Sequence, residues 1–513
     1  MENLDTKRPI LFVKMGWKSP VLILTLWSSV SYAGPFGESN LVLVQVGDGT
    51  AISRVAAPAF LKEVTKTGLD VQTIALPTAV SGQNRRLTLD GVGTSEGFLR
   101  RSTNLENLTL CGYDAALGTQ AVAFTPSQDV NRVVAVITSS GAVETTTALA
   151  DAYSGGAIRA AMLHGSGLWI SGSSGSSEPL TGGLRYAMRN GGTTVQLVAS
   201  PTTVRVPVIF GGQLFMSASD AAFQGVASVG SGLPTSGQFN PVGLQGLVGS
   251  HTVPADFTFA DAQTLYVADD RNLTSGGGIQ KWTFNGTQWI HAYTLSNGLS
   301  VSIRRIALED VGGTRTLYGL TSEAKANSLV KVTDTGPSSQ FTVLRTAAFE
   351  TAYRGVSLTP KRAGTPIAVT HYVLVRGAEF QGQLSSLWQV DNDLLDVFSD
   401  DSSLDAEIEV VGASPATSGS QLRLECEYWV ERFGLSTSIQ FFNVVTRRFQ
   451  SIGGAVSATN RTLIAVSTNS PGLFIDEGGA VRARVRWAPI NDEDPAQDGW
   501  LHRIDRLEWA LVP

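Results

Sequence analysis

Cysteine is nearly absent from this chain of 513 residues: Cys111 and Cys426 are the two copies, and they lie far apart. There is no material for a disulfide framework, and each cysteine, set in an apolar strand pattern, reads as a buried thiol. Histidine is almost as scarce. Its five copies (His164, His251, His291, His371, His502) are scattered, and no CxxC or HExxH spacing offers a zinc site. Charged residues make up 16%, well below the usual quarter, and the formal net charge is −6. The basic surface that a phosphate backbone demands is missing, so nucleic acid is excluded as the expected partner. Beyond one stretch near the N-terminus there is no long apolar run, so the mature chain should carry no membrane span.

Glycine, by contrast, is abundant at 54 copies, and a phrase returns roughly every fifty residues. Arg159, in Ile158-Arg159-Ala160, is followed nine positions later by Leu168-Trp169-Ile170. Arg205, in Val204-Arg205-Val206, precedes Leu214-Phe215-Met216 at the same offset, and Asp256-Phe257-Thr258 precedes Leu265-Tyr266-Val267 likewise. A looser copy joins Ile303-Arg304-Arg305 to Leu317-Tyr318-Gly319. Repeats of this length, built of short apolar and aromatic strands with Gly-rich turns, predict the four-stranded blades of a β-propeller over residues 34–362. The phrase supplies the first two strands of each blade. Asn285-Gly286 marks one outer hairpin, because these residues tolerate positive φ. The chain starts in mid-blade: Leu41–Val46 reads as a third strand, Phe60–Val64 as a fourth, and the matching first strand is Tyr353–Leu358 at the far end. Counting outer pairs gives about six blades, with seven left open.

Residues 1–33 read as a signal peptide. Lys14 and Lys18 supply positive charge, Val21–Trp27 the apolar stretch, and Ser31-Tyr32-Ala33 a small-x-small cleavage site after Ala33. The expected location is secreted or cell-surface.

The Pro- and Gly-containing stretch Thr359–Pro366 predicts a boundary, with a second domain over 363–513. This part holds twenty acidic residues against eleven arginines and no lysine. Its strands alternate strictly. Leu422, Leu424, Cys426, Tyr428 and Val430 share one face opposite Arg423, Glu425, Glu427 and Glu431; Val481, Ala483, Val485 and Trp487 oppose Arg482, Arg484 and Arg486. Such alternation belongs to sheets buried on one side, and eight or nine strands of this kind predict a jelly-roll-like β-sandwich with the charged rows facing out. Were those rows on neighbouring strands, cross-strand pairs would each add a few tenths of a kcal/mol.

The phrases GGQLFMSAS, LYVADDRN, GGIQKWTFNGTQW and AYRGVSLTP, with the ending RVRW…RIDRLEWALVP, resemble a group of exported bacterial propeller proteins that carry a C-terminal β-sandwich. The resemblance spans almost the whole mature chain. It implies fold and export, and carries over no catalytic residue.

The sharpest candidates for a site are the arginines of the phrase: Arg159, Arg205, Arg304 and Arg354, with Arg100 or Arg101 filling the position in the blade before. On innermost strands they would ring one end of the central channel and favour a uronate, sulfate or phosphate. Against this, a residue recurring in each repeat serves to pin its blade to the next. Asp492, Asp494 and Asp498 lie in one acidic loop and could supply some of the six to eight oxygens of calcium, although no EF-hand is present; the bland alternative is a solvated turn. A weaker acidic run comprises Asp391, Asp393, Asp396, Asp400, Asp401 and Asp405. Trp429, Trp500 and Tyr372 are candidates for stacking on sugar rings, or for ordinary core packing. Asp269-Asp270-Arg271 is an acid cluster or a turn with an internal ion pair. The composition and these features together point to a secreted binding or scaffold protein that engages a glycan or another extracellular polymer. The alternatives are a carbohydrate-active hydrolase or lyase with its site at the channel mouth, and a purely structural cell-surface protein.

Overall fold

The computed structural model describes residues 34–512, apart from positions 38, 221, 250–251, 362–363, 388–393, 400–403, 417, 420, 431–434, 458–461 and 490–500. The segment read as a signal peptide, residues 1–33, therefore lies outside the described residues. The fold is all-β, with a few short 3-10 turns. No helix among the described residues is long and apolar enough to cross a membrane.

Six four-stranded antiparallel sheets follow one another as propeller blades. Blade 1 has the order Ala352–Leu358, Leu41–Val46, Ala59–Val64, Asp70–Ala75. Blades 2 to 6 open with the inner strands Leu99–Arg101, Ile158–His164, Val206–Phe210, Pro254–Asp261 and Ile303–Val311. The ends of the ring therefore share a sheet, with Leu43 facing Val356. The strand positions differ from expectation by one. Leu41–Val46 is the second strand, Ala59–Val64 the third, and Asp70–Ala75 supplies the fourth. That outermost strand is mostly exposed, so it lacks the apolar run that betrays its neighbours.

The physical cause of those runs is burial on both faces. In blade 1, Val42, Val44 and Val46 pack towards blade 2 with Leu108 and Leu110, while Leu41 and Leu43 pack towards blade 6 with Tyr318 and Leu320. One apolar cluster fills each of the six blade interfaces. Cys111 is buried in one of them, and Cys426 in the core of the second fold; neither forms a disulfide. The Asn285 side chain accepts from the backbone N–H of Thr287 and Gln288, and Gly286 has φ +97°, as the hairpin requires.

From Thr365 onward a six-stranded and a five-stranded antiparallel sheet share one core. The eleven strands among the described residues exceed the expected eight or nine. Leu422, Leu424, Cys426 and Trp509 come from the first sheet; Ile408, Val410, Ile439, Phe441, Val485 and Trp487 come from the second. This is a β-sandwich, and its strands cross repeatedly between the sheets. The arginine strand Ala480–Pro489 and the glutamate strand Gln421–Val430 lie in different sheets, so the two rows are not neighbours. The arginines face the acidic strand Ala406–Ala413 instead.

Blades 1 and 2 meet closely at Gly355, where a Cβ would lie 2.4 Å from the Gly97 carbonyl oxygen and 3.0 Å from Leu99. Gly355→Val should therefore force the closing strand away and cost about 1–3 kcal/mol, read as a lower urea midpoint of the propeller transition.

Candidate functional site

The arginine phrase coincides with an irregularity of the inner strands. Pairing skips one residue in blades 1, 3, 5 and 6, at Arg354, Arg159, Ala255 and Arg304. A bulge re-aims its side chain out of the regular alternation, and these three arginines gather with Arg205 towards one end of the channel. Two assignments are corrected. In blade 5 the equivalent residue is Ala255, not Asp256; a second bulge between Phe259 and Asp261 adds a residue and shifts the apparent spacing. In blade 2, Arg100 and Arg101 sit in regular pairing opposite Thr109 and Leu108, so neither takes the bulged position.

The guanidinium groups at this end are engaged with the scaffold. Arg159 Nη1 donates to Val204 O (3.1 Å), Arg205 Nε to Ser219 Oγ (2.9 Å) and Arg354 Nη2 to Ala324 O (2.9 Å). Arg304 donates to Ser322 O (2.8 Å) and to Asp270 Oδ2 (3.2 Å). Burial, reinforced by the neighbouring charge of Arg205, pushes Arg159 down to about 9. The cavity bounded by Arg304, Arg305, Glu323 and Arg354 holds about 10 Å³, room for one water at most.

The channel is closed at mid-depth. Arg305 lies 3.5 Å from the Phe98 ring centroid and donates to the carbonyls of Thr94 (2.9 Å) and Glu96 (3.1 Å). Arg100, from blade 2, crosses to an ion pair with Asp256 of the opposite blade 5. Arg100 therefore stands apart from the other four arginines. Beyond the plug, the inner strands of all six blades line a cavity of about 180 Å³, with Phe210 and Phe259 stacked at 4.7 Å. Arg100 and Arg101 line it; no described carboxylate does.

Two larger grooves lie elsewhere, and neither was expected. One, of about 390 Å³, is bounded on the propeller by Gly246, Trp282, Gln288, Trp289 and His291. The other, of about 320 Å³, is bounded on the sandwich by Phe442, Val444, Arg447, Phe474, Asp476 and Arg482. The propeller groove is built mainly on the contiguous run Gln288–His291, whereas the sandwich groove draws its residues from separate strands and turns.

The remaining candidates disperse. Asp492, Asp494, Asp498 and Trp500 lie outside the described residues, as do Asp391, Asp393, Asp400 and Asp401; nothing is described of the Trp429 side chain. Asp405 pairs with Arg376 and Arg486, and Asp396 with Arg503. Among the described residues, no three His, Cys, Asp or Glu side chains gather as a metal site. The Tyr372 hydroxyl donates to Glu379 (2.8 Å). Arg271 does form the internal ion pair, with Asp269 (2.7 Å). Gly93-Thr94-Ser95-Glu96-Gly97 has the G-x-S-x-G spelling of a nucleophile elbow, but it runs from a turn towards an inner strand, without the strand-to-helix geometry that exposes such a serine.

What this loop buries is Glu96, 1% exposed, which accepts from the Tyr113 hydroxyl (2.5 Å) and the Asp90 backbone N–H (2.6 Å). Burial, opposed by the Tyr113 bond and assisted by the charge of Asp90, raises its carboxyl from 4.5 to about 8. The folded protein thus keeps a proton that the unfolded chain releases in that pH window, so this group's contribution to stability falls as pH rises from about 4.5 to 8 and is flat outside it. Glu96→Gln should remove a slope of about 1.4 kcal/mol per pH unit, measured by urea unfolding between pH 5 and pH 8.

No protein-family model matches the chain, and no curated protein matches it. Among solved structures it is similar to a Bacteroides fragilis protein provisionally assigned as a 6-phosphogluconolactonase, at 10% identity and a TM-score of 0.36 over 83% of this chain and 98% of that one. Over 28% of its length it is similar to a family 61 carbohydrate-binding module in complex with β-1,4-galactotriose, at 10% identity and a TM-score of 0.19 over 87% of that chain. Over 29% it is similar to a family 29 module of Piromyces equi, at 11% identity and a TM-score of 0.19 over 91% of that chain. These likenesses bring neither activity nor ligand to this chain.

Proposed function

We propose that the chain is exported, with cleavage after Ala33, and acts as a non-enzymatic binding protein for a glycan or a similar extracellular polymer. The observation that carries this reading is the groove on the sandwich. There a half-buried phenyl ring (Phe442), two guanidinium groups (Arg447, Arg482) and a carboxylate (Asp476) converge around about 320 Å³ of open space. An aromatic face takes the C–H side of a sugar ring, while planar charged groups bond pairs of hydroxyls through fixed forks. A hydrolase of the usual kind needs two carboxyl groups set about 5–10 Å apart across the scissile bond, and no described carboxylate lines the channel-mouth cavity. The plugged channel further withholds the deep site that a lyase or hydrolase reading invokes.

A glycan array run beside a reducing-sugar release assay tests this. Retention of at least one glycan without sugar release is expected, and Phe442→Ala together with Arg447→Ala should weaken that retention about tenfold or more. Sugar release that survives purification would replace binding with catalysis; retention unaffected by the two substitutions would move the site elsewhere.

A further inference from the structure

The five-stranded sheet of the sandwich turns an ordered set of side chains away from the core. Register places Arg486 between Glu407 and Ser438, and Arg484 between Glu409 and Gln440. Val411 faces Arg482, and the row continues to Phe442 and Phe449, which face each other on the next two strands. Arg482 Nε donates to Glu409 Oε1 (3.0 Å) and Arg484 Nε to Glu409 Oε2 (2.9 Å); Arg486 Nε donates to Asp405 Oδ2 (3.1 Å). Arg376 lies 3.5 Å from Glu407 and 3.7 Å from Asp405.

Charge and exposure are distributed unequally in this array. The carboxylates lie underneath: the side chains of Asp405, Glu407 and Glu409 are 6%, 11% and 11% exposed. The guanidinium groups lie on top: Arg376, Arg482, Arg484 and Arg486 are 46%, 41%, 34% and 46% exposed. Burial disfavours the Glu409 carboxylate, yet Arg482 and Arg484 outweigh it and hold its pKa down, so Glu409 stays ionised beneath the arginines. Solvent meets four cations over three anions. Arg482 and Arg486 spend Nε and Nη2 on their carboxylates; each has a second N–H edge that a ligand can use. A domain with twenty acids and eleven arginines thus shows a positive strip on one sheet face.

Resting on the glycan-binding reading, we infer that the ligand is an acidic polysaccharide, bearing uronate or sulfate groups, which lies along Arg482, Arg484 and Arg486 and runs onto the Phe442 groove. Alternate residues of a strand are about 7 Å apart, so three guanidinium groups in line match a chain of repeated anions better than a single ion. Each supplies a planar fork suited to carboxylate or sulfate. Phe442 and Phe449, with Arg482 4.7 Å and Arg484 4.1 Å from their respective ring centroids, end the row with apolar surface for a sugar face.

The test uses the mature chain, with polygalacturonate and its methyl-esterified form as probes: the same backbone with and without charge. Sulfated and neutral galactans form a second pair, and a DNA duplex serves as the general polyanion. Retention of the acidic member of a pair is expected, with the neutral member bound about tenfold or more weakly. Arg484→Gln with Arg486→Gln should abolish the difference, with thermal melting checking the fold. Equal binding of both members would overturn the acidic class while leaving glycan binding intact. Retention of the DNA duplex as strong as that of the polyuronate would overturn it as well, because charge alone would then suffice. Failure to retain any glycan on the array would overturn both readings. The ester comparison needs no variant, so the inference stands or falls even if the double substitution unfolds the sandwich.

Discussion

The constraint on which the rest depends is that a blade has no face of its own for water. Each sheet of the propeller is apolar on both sides, and each side needs a neighbour. Six clusters fill the six interfaces, and the last exists only because the strand Ala352–Leu358 returns to pair with Leu41–Val46. An open ring would leave Leu41, Leu43, Tyr318 and Leu320 exposed together, along with an unpaired strand edge. The hydrophobic requirement and the backbone hydrogen-bond requirement are met by one event.

Closing six blades around an axis creates a second problem, which is what to put in the middle. The inner strands bring polar backbone groups together where water has little access. This chain answers with guanidinium groups. The bulges at Arg159, Arg304 and Arg354 turn these side chains onto carbonyls of adjoining loops, Arg305 covers Phe98, and Arg100 reaches Asp256 across the axis. The buried carboxyl of Glu96 belongs to the same interior. On the sandwich, the same residue type has the opposite posture: acids below, arginines above, in water. Arginine is frequent in both parts, and what separates the two uses is burial: Arg159, Arg305 and Arg354 are enclosed, whereas Arg482, Arg484 and Arg486 meet water.

The fold was largely legible in the chain because two-sided burial writes near-continuous apolar runs, as in Leu41–Val46, and one-sided burial writes alternation, as in Ala480–Pro489. Legibility failed where those pressures relax. Asp70–Ala75 packs on little and looks like a loop. A bulge inserts a residue that no periodicity records, so Asp256 took the place of Ala255; Arg100 and Arg101 lie in a strand without one and were given a position they do not hold. The groove on the sandwich was hidden for another reason. Phe442, Arg447, Asp476 and Arg482 come from two strands and two turns, and their convergence is set by sheet order, which local pattern does not encode. The arginine row itself was visible, and so was its outward aspect; its acidic partner strand Ala406–Ala413 was not, because pairing between distant segments leaves no mark in either.

The return of Ala352–Leu358 to the sheet begun by Leu41 also has a temporal side. During synthesis the first three strands of that sheet emerge long before their innermost companion, and they wait without it while five further sheets are made. Folding of the ring is therefore bound to its slowest, most distant contact. Any chain cut short before residue 352 therefore lacks the piece that shuts the circle, however complete the five sheets behind it.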